Sequence, residues 1–290
     1  MDGTDSDDSH LGADAQMDRL RAQARTHVTG APGQQITWAE WGPADAPVLV
    51  MLHGAYGSWP HFVRNIEAFA STNRILVPDQ PGFGASDLPQ ELSIAAVGRA
   101  VAQGLDDLIG RDTRYRVFGF SFGGSTGGRL MAEHRDRISH ALLVAPAGIS
   151  RGAKPDMRGV RNRRGADLRD ALAFNLRSIM FARDDSVTPQ SIAVQHLGSS
   201  AARLRVERLD WGPGMRDVLV DFPGHVSLAW GRQDAFIPEG ETPDRAQIVT
   251  EWNPNAGTHW LENTGHWAPY EAADEVNAIL QDLLSRPDRA

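Results

Sequence analysis

The amino-acid sequence predicts an α/β fold in which a mostly parallel central sheet is flanked by helices. Short apolar runs alternate along the chain with segments whose apolar residues recur at helical spacing, which is typical of βαβ construction. Most of the apolar runs show no strict alternation with polar residues, as expected of central strands that are covered on both faces. A chain of 290 residues is long enough for one such core with an insertion.

Six segments are predicted as strands because they are short, apolar and bounded by glycine, proline or polar residues. They are Ile36–Trp41, Val48–Leu52, Arg74–Pro78, Tyr115–Phe120, Ala141–Ala145 and Val226–Trp230. Helices are predicted where apolar residues recur every three or four positions. The predicted helices cover Met17–Arg25, Ser93–Ile109, a run from Ser121 towards Glu133, and a C-terminal stretch with Val276, Ile279, Leu280, Leu283 and Leu284 on one face.

Two segments depart from the alternation. The acidic beginning of the chain, MDGTDSDDSHLGAD, predicts a solvated tail, so residues 1–25 are interpreted as a flexible tail followed by a short helix. Residues 149–209 begin as loop and then show helical patches at Leu172–Phe181 and Ser191–Leu204. They are interpreted as a lid (cap) inserted between two core strands, which leaves residues 26–148 and 210–290 as the core.

Composition excludes several functions. A net charge of -8 argues against a protein that binds nucleic acid through phosphate contacts. The absence of cysteine excludes thiolate nucleophiles and cysteine-bound zinc, and neither H-E-x-x-H nor a P-loop occurs, so no cofactor and no metal is expected. Without a secretory leader or a membrane-spanning run, a cytoplasmic location, no membrane partner and a small-molecule substrate are expected. Oligomeric state is not readable from the sequence.

The residues Gly119-Phe120-Ser121-Phe122-Gly123 form a G-x-S-x-G motif between a predicted strand and a predicted helix. A turn this tight leaves no room for side chains beside the serine, which explains the glycines. The serine hydroxyl then emerges at the carboxyl edge of the sheet, where open α/β sheets bind ligands. Ser121 is therefore predicted to be a catalytic nucleophile.

A serine nucleophile needs a general base, and the base needs a residue that orients it. Asp234 follows the predicted strand Val226–Trp230, and His266 lies in a glycine-preceded loop before the last helix. The order serine, acid, histidine is the one that this strand-turn-helix motif requires. We therefore predict Asp234 as the orienting acid and His266 as the base, selected from 10 histidines.

The loop Leu52-His53-Gly54-Ala55-Tyr56-Gly57 follows another predicted strand. The backbone N–H groups of Ala55 and Phe122 are predicted to form an oxyanion hole. His53 is expected to shape this loop by hydrogen bonding. An apolar substrate pocket is predicted from nearby small and aromatic residues. They are Gly54, Tyr56, Trp59, Phe120 and Trp267.

Taken together, these motifs resemble the α/β-hydrolase superfamily over roughly Thr26–Ala147 and Trp211–Leu284. The segments that carry the resemblance, besides the G-x-S-x-G motif, are His53-Gly54, Asp79–Asp87, Trp230–Asp234 and Gly265–Trp267. The resemblance implies the α/β-hydrolase fold with a helical lid insertion over a serine hydrolase site.

Within that superfamily the chain is most similar to the meta-cleavage-product hydrolases, which cleave carbon–carbon bonds in dienoates. Ser58–Asn65 and Gly265–Ala268 carry this likeness. The chain departs from that family at Phe120, where the family has asparagine, and at Gln195-His196, where an Arg-Trp pair is expected. The loss of polar partners for an anionic dienoate favours other substrates, because such sites discriminate through paired polar groups.

The sequence therefore predicts a serine hydrolase that cleaves an ester-type bond of a small, largely apolar substrate through an acyl-enzyme. Two alternatives stay open: a carbon–carbon bond hydrolase acting on a meta-cleavage-type dienoate, and a non-catalytic binding protein with a hydrolase fold, since fold alone does not fix function. An acyltransferase would use the same residues with a different acceptor.

Overall fold

The structure, a computed structural model, describes residues 14–150, 152–241 and 244–289. The strands are β1 (Arg25–Thr29), β2 (Ile36–Trp41), β3 (Val48–Leu52), β4 (Arg74–Pro78), β5 (Tyr115–Phe120), β6 (Ile138–Val144), β7 (His225–Gly231) and β8 (Gly257–Leu261). The helices are α1 (Ala15–Gln23), α2 (Ile66–Phe69), α3 (Ile94–Ile109), α4 (Phe122–Glu133), α5 (Gly165–Asn175), α6 (Pro189–Ala201), α7 (Arg216–Leu219), α8 (Arg245–Trp252), α9 (Ala268–Glu271) and α10 (Ala273–Ser285).

In the described part of the chain, the strands form one sheet in the order β1-β2-β4-β3-β5-β6-β7-β8. Strand β2 is antiparallel to both of its neighbours, and the strands from β4 to β8 run parallel. This architecture confirms the predicted α/β-hydrolase fold with a mostly parallel sheet. Strands β3 and β5 occupy the centre, so the loops that follow them meet at one edge of the sheet.

The predicted strands agree with the structure except at the two ends of the sheet. Four of them match β2, β3, β4 and β5 to the residue, whereas β6 begins earlier than predicted and β7 is longer at both ends. Strands β1 and β8 are absent from the prediction. Their sequences, RTHVT and GTHWL, are only partly buried in the fold and lack the apolar run that marks a central strand.

Helices and turns cover both faces of the sheet. Helix α4 packs closely on one face, where Gly127 contacts Val117 of β5 and Leu143 of β6. On the opposite face the ring of Phe62 packs against Phe118 with ring centroids 5.0 Å apart. Because successive residues of a strand point to opposite faces, Val117 and Phe118 show that β5 is buried on both sides. This burial explains the apolar sequence of the central strands.

Residues 149–209 lie between β6 and β7 and contain α5, a π-helical turn at Leu176–Met180, and α6. These helices correspond to the patches predicted within that segment. Residues 1–13 of the predicted acidic tail lie outside the described residues, and the short helix expected after the tail is α1. Among the residues that the structure describes, no helix is long and apolar enough to cross a membrane.

Candidate active site

Ser121 stands at the junction of β5 and α4 in a strained backbone conformation. Its φ of 52° and ψ of -114° lie where residues other than glycine are rare. A Cβ atom on Gly119 would lie 2.5 Å from the carbonyl oxygen of Gly123, and one on Gly123 would overlap the carbonyl oxygen of Leu52. Glycine is therefore required on both sides of Ser121. The tight turn leaves the Ser121 side chain partly exposed at the sheet edge.

Three side chains that are far apart in the sequence form a chain of hydrogen bonds. The Ser121 hydroxyl donates to His266 Nε2 at 2.8 Å, and His266 Nδ1–H donates to Asp234 Oδ2 at 2.9 Å. Because a carboxylate only accepts, the proton of the neutral imidazole lies on Nδ1, and the Nε2 lone pair faces Ser121. This is the tautomer that a general base for serine requires.

The carboxylate and the imidazole are shielded from water. The side chain of Asp234 is fully buried, and its second oxygen accepts from the backbone N–H of Phe236 at 2.9 Å. The imidazole of His266 lies between two aromatic rings, with centroid distances of 5.3 Å to Phe120 and 4.5 Å to Phe236. In so dry a setting the hydrogen bond from His266 Nδ1–H to Asp234 is strengthened, and the ring has little freedom to turn.

The loop after β3 is fixed by two histidines that hold the two peptide groups on either side of the Gly54 Cα atom. His53 Nδ1–H donates to the Gly54 carbonyl at 2.8 Å, and the Gly54 N–H donates to His61 Nδ1 at 3.1 Å. The backbone N–H of Gln80 donates to His53 Nε2 at 3.1 Å, which ties the loop to the end of β4. The orientation of Gly54 therefore determines where the next amide, that of Ala55, points.

Both histidines are neutral in the fold. Burial lowers the pKa of His53 to about 4, and burial with the repulsion of His53 and His266 lowers the pKa of His61 well below its usual value. Their tautomers are opposite, since His53 donates from Nδ1 and His61 accepts at Nδ1. His53 is thus engaged in shaping the loop, in line with the expectation from the sequence.

Of the two amides predicted for the oxyanion hole, that of Phe122 lies in the turn at Ser121 and that of Ala55 lies in the loop after β3. The Phe122 N–H belongs to the first turn of α4, where helix amides have no partner within the helix. The Ala55 N–H shares a peptide group with the Gly54 carbonyl, which accepts from His53. Within the described residues, neither amide donates a backbone hydrogen bond outside regular structure. Their role as oxyanion donors stays a prediction.

The residues predicted to line the pocket differ in their burial and in their contacts. Phe120 is fully buried, and a Cβ atom on Gly54 would lie 2.8 Å from its ring. Trp267 is also fully buried, and its indole N–H donates to the carbonyl of His61 at 3.1 Å. Tyr56 packs on Phe83, while its hydroxyl donates to the Glu207 carboxylate at 2.7 Å.

The structure does not bring Trp59 to this group. Its ring packs against Trp41 at 5.4 Å, and the Arg21 guanidinium lies 6.0 Å from the ring centroid. Trp59 begins a short helical turn that contains His61 two positions later. Residues two apart on a helix point in different directions, so His61 faces the loop after β3 while Trp59 faces α1.

Sequence reasoning assigned no role to His61 or Glu271, although both are buried beside the site. The Glu271 carboxylate accepts from the Gly265 N–H at 2.6 Å, next to His266. The only local signal was that each is a polar residue within an apolar stretch that leads into a helix. Their partners lie in other segments of the chain, which no local pattern reveals.

Residues 149–209 contact all three loops of the site. Gly198 of α6 packs directly against the backbone of Tyr56 and Gly57. Leu204 belongs to a buried apolar cluster with Phe122 at the start of α4. Next to His266, the backbone N–H of Trp267 donates to the Met180 carbonyl at 2.9 Å.

Comparison with known proteins agrees with this fold. The alpha/beta hydrolase family matches residues 49–279, so the chain belongs to that family. It is 27% identical over 270 residues to the 2-hydroxy-6-oxo-6-phenylhexa-2,4-dienoate hydrolase of Comamonas testosteroni, covering 86% of this chain and 91% of that protein. It is also 27% identical to the 2-hydroxy-6-oxononadienedioate/2-hydroxy-6-oxononatrienedioate hydrolase of Paraburkholderia phymatum, covering 90% and 98%.

Among solved structures, an esterase from Rhodococcus sp. ECU1013 superposes with a TM-score of 0.75 at 18% identity, covering 91% of this chain and 98% of the esterase. At that identity the likeness supports the fold alone. The predicted resemblance to the α/β-hydrolase superfamily, and within it to hydrolases of dienoates, is thus confirmed. The substrate is a separate question.

Proposed function

We propose that this protein is a serine hydrolase that cleaves an ester-type bond of a small, largely apolar substrate through an acyl-enzyme. The observation that carries the proposal is the continuous hydrogen-bond chain from the Ser121 hydroxyl through His266 to the buried Asp234 carboxylate. This arrangement supplies a nucleophile, a base and an orienting acid in the geometry that acyl transfer needs.

In the proposed reaction, His266 Nε2 takes the proton of the Ser121 hydroxyl as Ser121 Oγ attacks the substrate carbonyl carbon. The carbonyl oxygen becomes an oxyanion that accepts from the Ala55 and Phe122 amides. When the bond to the leaving group breaks, His266 gives its proton to that group. A water molecule, deprotonated by His266, then attacks the acyl-enzyme, and the acid is released as Ser121 regains its proton.

The aromatic surroundings support an apolar substrate. The ring of Phe120 packs on His61 at 5.7 Å and on His266 at 5.3 Å, so an apolar group adjoins the base. A dienoate carries a carboxylate, which is costly to bury without a polar or charged partner. Phe120 offers none, and this favours an uncharged ester-type substrate.

Carbon–carbon bond hydrolysis of a dienoate is the second candidate, and the relatives from Comamonas testosteroni and Paraburkholderia phymatum favour it because their names state that activity. The same serine, histidine and aspartate would serve both reactions. Phe120 and the pair Gln195-His196, which lies on α6 where an Arg-Trp pair is expected, weigh against it here.

We further propose that residues 149–209 act as a lid over a core formed by residues 26–148 and 210–290. Three contacts support this role: Gly198 packs on Gly57, Leu204 packs with Phe122, and the Met180 carbonyl accepts from Trp267. Gly57, Phe122 and Trp267 belong to the segments that carry the candidate oxyanion donors, Ser121 and His266. A lid excludes water from the acyl-enzyme and selects which substrates enter.

The first experiment is labelling with a fluorophosphonate probe, which reacts with activated serines. We expect the folded wild type to be labelled and the Ser121→Ala variant not to be. Absence of labelling in folded wild type would contradict the proposal and support a binding protein with a hydrolase fold.

The second experiment separates the two candidate reactions. Aryl esters, lactones and a vinylogous 1,5-diketone dienoate are assayed with wild type and with Ser121→Ala. We expect kcat/KM to be higher for an ester than for the dienoate, and lost for both in the variant. Faster cleavage of the dienoate would establish the carbon–carbon hydrolase instead.

A further inference from the structure

The carboxylate of Glu271 is a buried junction between two segments of the chain. Its side chain has no exposed surface, so the charge needs hydrogen-bond donors to be tolerated. From the segment 182–186 it accepts the backbone N–H of Ala182 at 3.1 Å, that of Arg183 at 2.9 Å and the hydroxyl of Ser186 at 3.1 Å. From the other side it accepts the Gly265 N–H at 2.6 Å.

Further contacts join the insertion to the residue that follows His266. The backbone N–H of Trp267 donates to the Met180 carbonyl at 2.9 Å. The rings of Phe181 and Trp267 stack with centroids 5.5 Å apart and planes 10° from parallel. A Cβ atom on Gly265 would lie 2.7 Å from the Met180 carbonyl oxygen, so glycine permits this close approach. Residues 180–186 therefore hold Trp267 directly and Gly265 through the Glu271 carboxylate.

We propose that Glu271 is a positioning residue that aligns His266 with Ser121 by fastening the His266 loop to residues 180–186 of the insertion. The proposal rests on the proposed function of His266 as the base. It goes beyond that function because it makes the alignment of the base depend on the docking of the insertion. If residues 180–186 move away, the backbone N–H of Trp267 loses its acceptor, and the Glu271 carboxylate that holds the Gly265 N–H loses its donors on the insertion.

The chemistry of the junction requires a carboxylate. Oε1 accepts from Arg183 and Ser186, and Oε2 accepts from Gly265. Glutamine has one acceptor oxygen and one nitrogen that only donates, so in Glu271→Gln an N–H donor must face another donor. With three donors on the insertion side, the amide oxygen is expected to stay there, and the Gly265 N–H loses its partner.

The test compares Glu271→Gln with a matched control, Glu262→Gln. Glu262 lies four residues before His266, but its side chain is 72% exposed and pairs with Arg232 at the surface. Three quantities are measured: kcat and KM for an aryl ester, the melting temperature, and the far-downfield proton NMR resonance of His266 Nδ1–H. The resonance is assigned by its loss in His266→Gln.

For Glu271→Gln we expect kcat to fall about 100-fold, the cost of a misplacement of about 1 Å in a reacting group, with KM within about threefold of wild type. The Nδ1–H resonance should shift or broaden, and the control should match wild type in all three measurements. A Glu271→Gln variant with wild-type kcat and resonance would overturn the proposal. A lower melting temperature with both of these unchanged would show a purely structural role.

Two provisions keep the test decisive. If Glu271→Gln does not fold, Ser186→Ala removes one donor on the insertion side only, and we expect about a threefold lower kcat with a shifted resonance. An unchanged kcat and resonance in Ser186→Ala would then overturn the proposal. If wild type neither hydrolyses esters nor reacts with fluorophosphonate, the proposed function fails, while the resonance still reports whether Glu271 positions His266.

Discussion

The two halves of the active site are held in different ways. The nucleophile half, with Ser121 and the loop at Gly54, sits on the central strands β3 and β5 and is fixed by glycine contacts and neutral histidines within the core. The base half, with Asp234 and His266, follows β7 and β8 at one end of the sheet. It is fixed by two buried carboxylates and by contacts with residues 180–186.

This difference separates two requirements of the proposed chemistry. The nucleophile and the oxyanion donors must be rigid, and a close-packed core with small residues supplies that rigidity. The base must meet Ser121 only when the site is closed to water, and anchorage to the insertion links these two conditions. The core therefore supplies the hydrogen bonds that fix the first half, on which the insertion also packs, and the insertion supplies hydrogen bonds that fix the second.

The largest effect is expected from Ser121→Ala in the nucleophile half. Removing the nucleophile should lower kcat for ester hydrolysis about a million-fold, as in subtilisin, and should leave the backbone strain unchanged because alanine keeps the Cβ atom. Steady-state kinetics and a thermal melt measure the two effects. Ser125→Ala, four residues further on the same helix, is the control and should keep wild-type kcat. Substantial activity in Ser121→Ala would show that another group attacks the substrate.

Asp234→Asn tests the base half. An amide that turns its NH2 towards His266 favours the wrong tautomer, so kcat should fall about ten-thousand-fold while the fold is kept. Kinetics over a range of pH and circular dichroism check this expectation. Asp107→Asn, at an exposed position of α3, is the control. A decrease of less than about tenfold would mean that Asp234 does not orient the base.

The pH dependence of stability tests the histidine clamp in the nucleophile half. The pKa of His53 is about 4 in the fold and 6.5 in the unfolded chain, so between these values the unfolded chain binds the extra proton. Stability due to neutral His53 is fully present above pH 6.5 and is lost as the pH falls to 4. The loss is on the order of 3 kcal/mol.

Urea unfolding at pH 7 and pH 4.5 measures this loss in wild type and in His53→Gln. The variant should be less stable at pH 7 and should lose less stability on acidification. If both proteins lose the same free energy of unfolding, other groups cause the acid sensitivity.

The smallest effect is expected at Phe120, which lies where the two halves touch. Phe120→Asn places a polar group beside His61 and His266, so the ratio of dienoate to ester kcat/KM should rise about tenfold. Parallel assays with both substrates measure the ratio. A lower ratio would show that the ring itself recognises the dienoate.

Local sequence patterns were sufficient for much of the fold and for the candidate triad. Apolar runs placed four strands to the residue, because strands covered on both faces are largely apolar. The glycines around Ser121 revealed the tight turn from strand to helix, since only glycine fits there. Asp234 and His266 followed from their order and from their places after strands. Strands β1 and β8 were missed because partly buried edge strands carry polar residues.

What the sequence determined by itself was local: the six strands other than β1 and β8, the tight turn at Ser121, and the three residues that the structure joins by hydrogen bonds. Only the tertiary structure decided that Trp59 faces α1, that His61 completes the clamp on Gly54, and that Glu271 fastens His266 to the insertion. These roles depend on contacts between residues as many as 89 positions apart, as between Ala182 and Glu271. Chain folding sets such distances, and a local pattern does not record them.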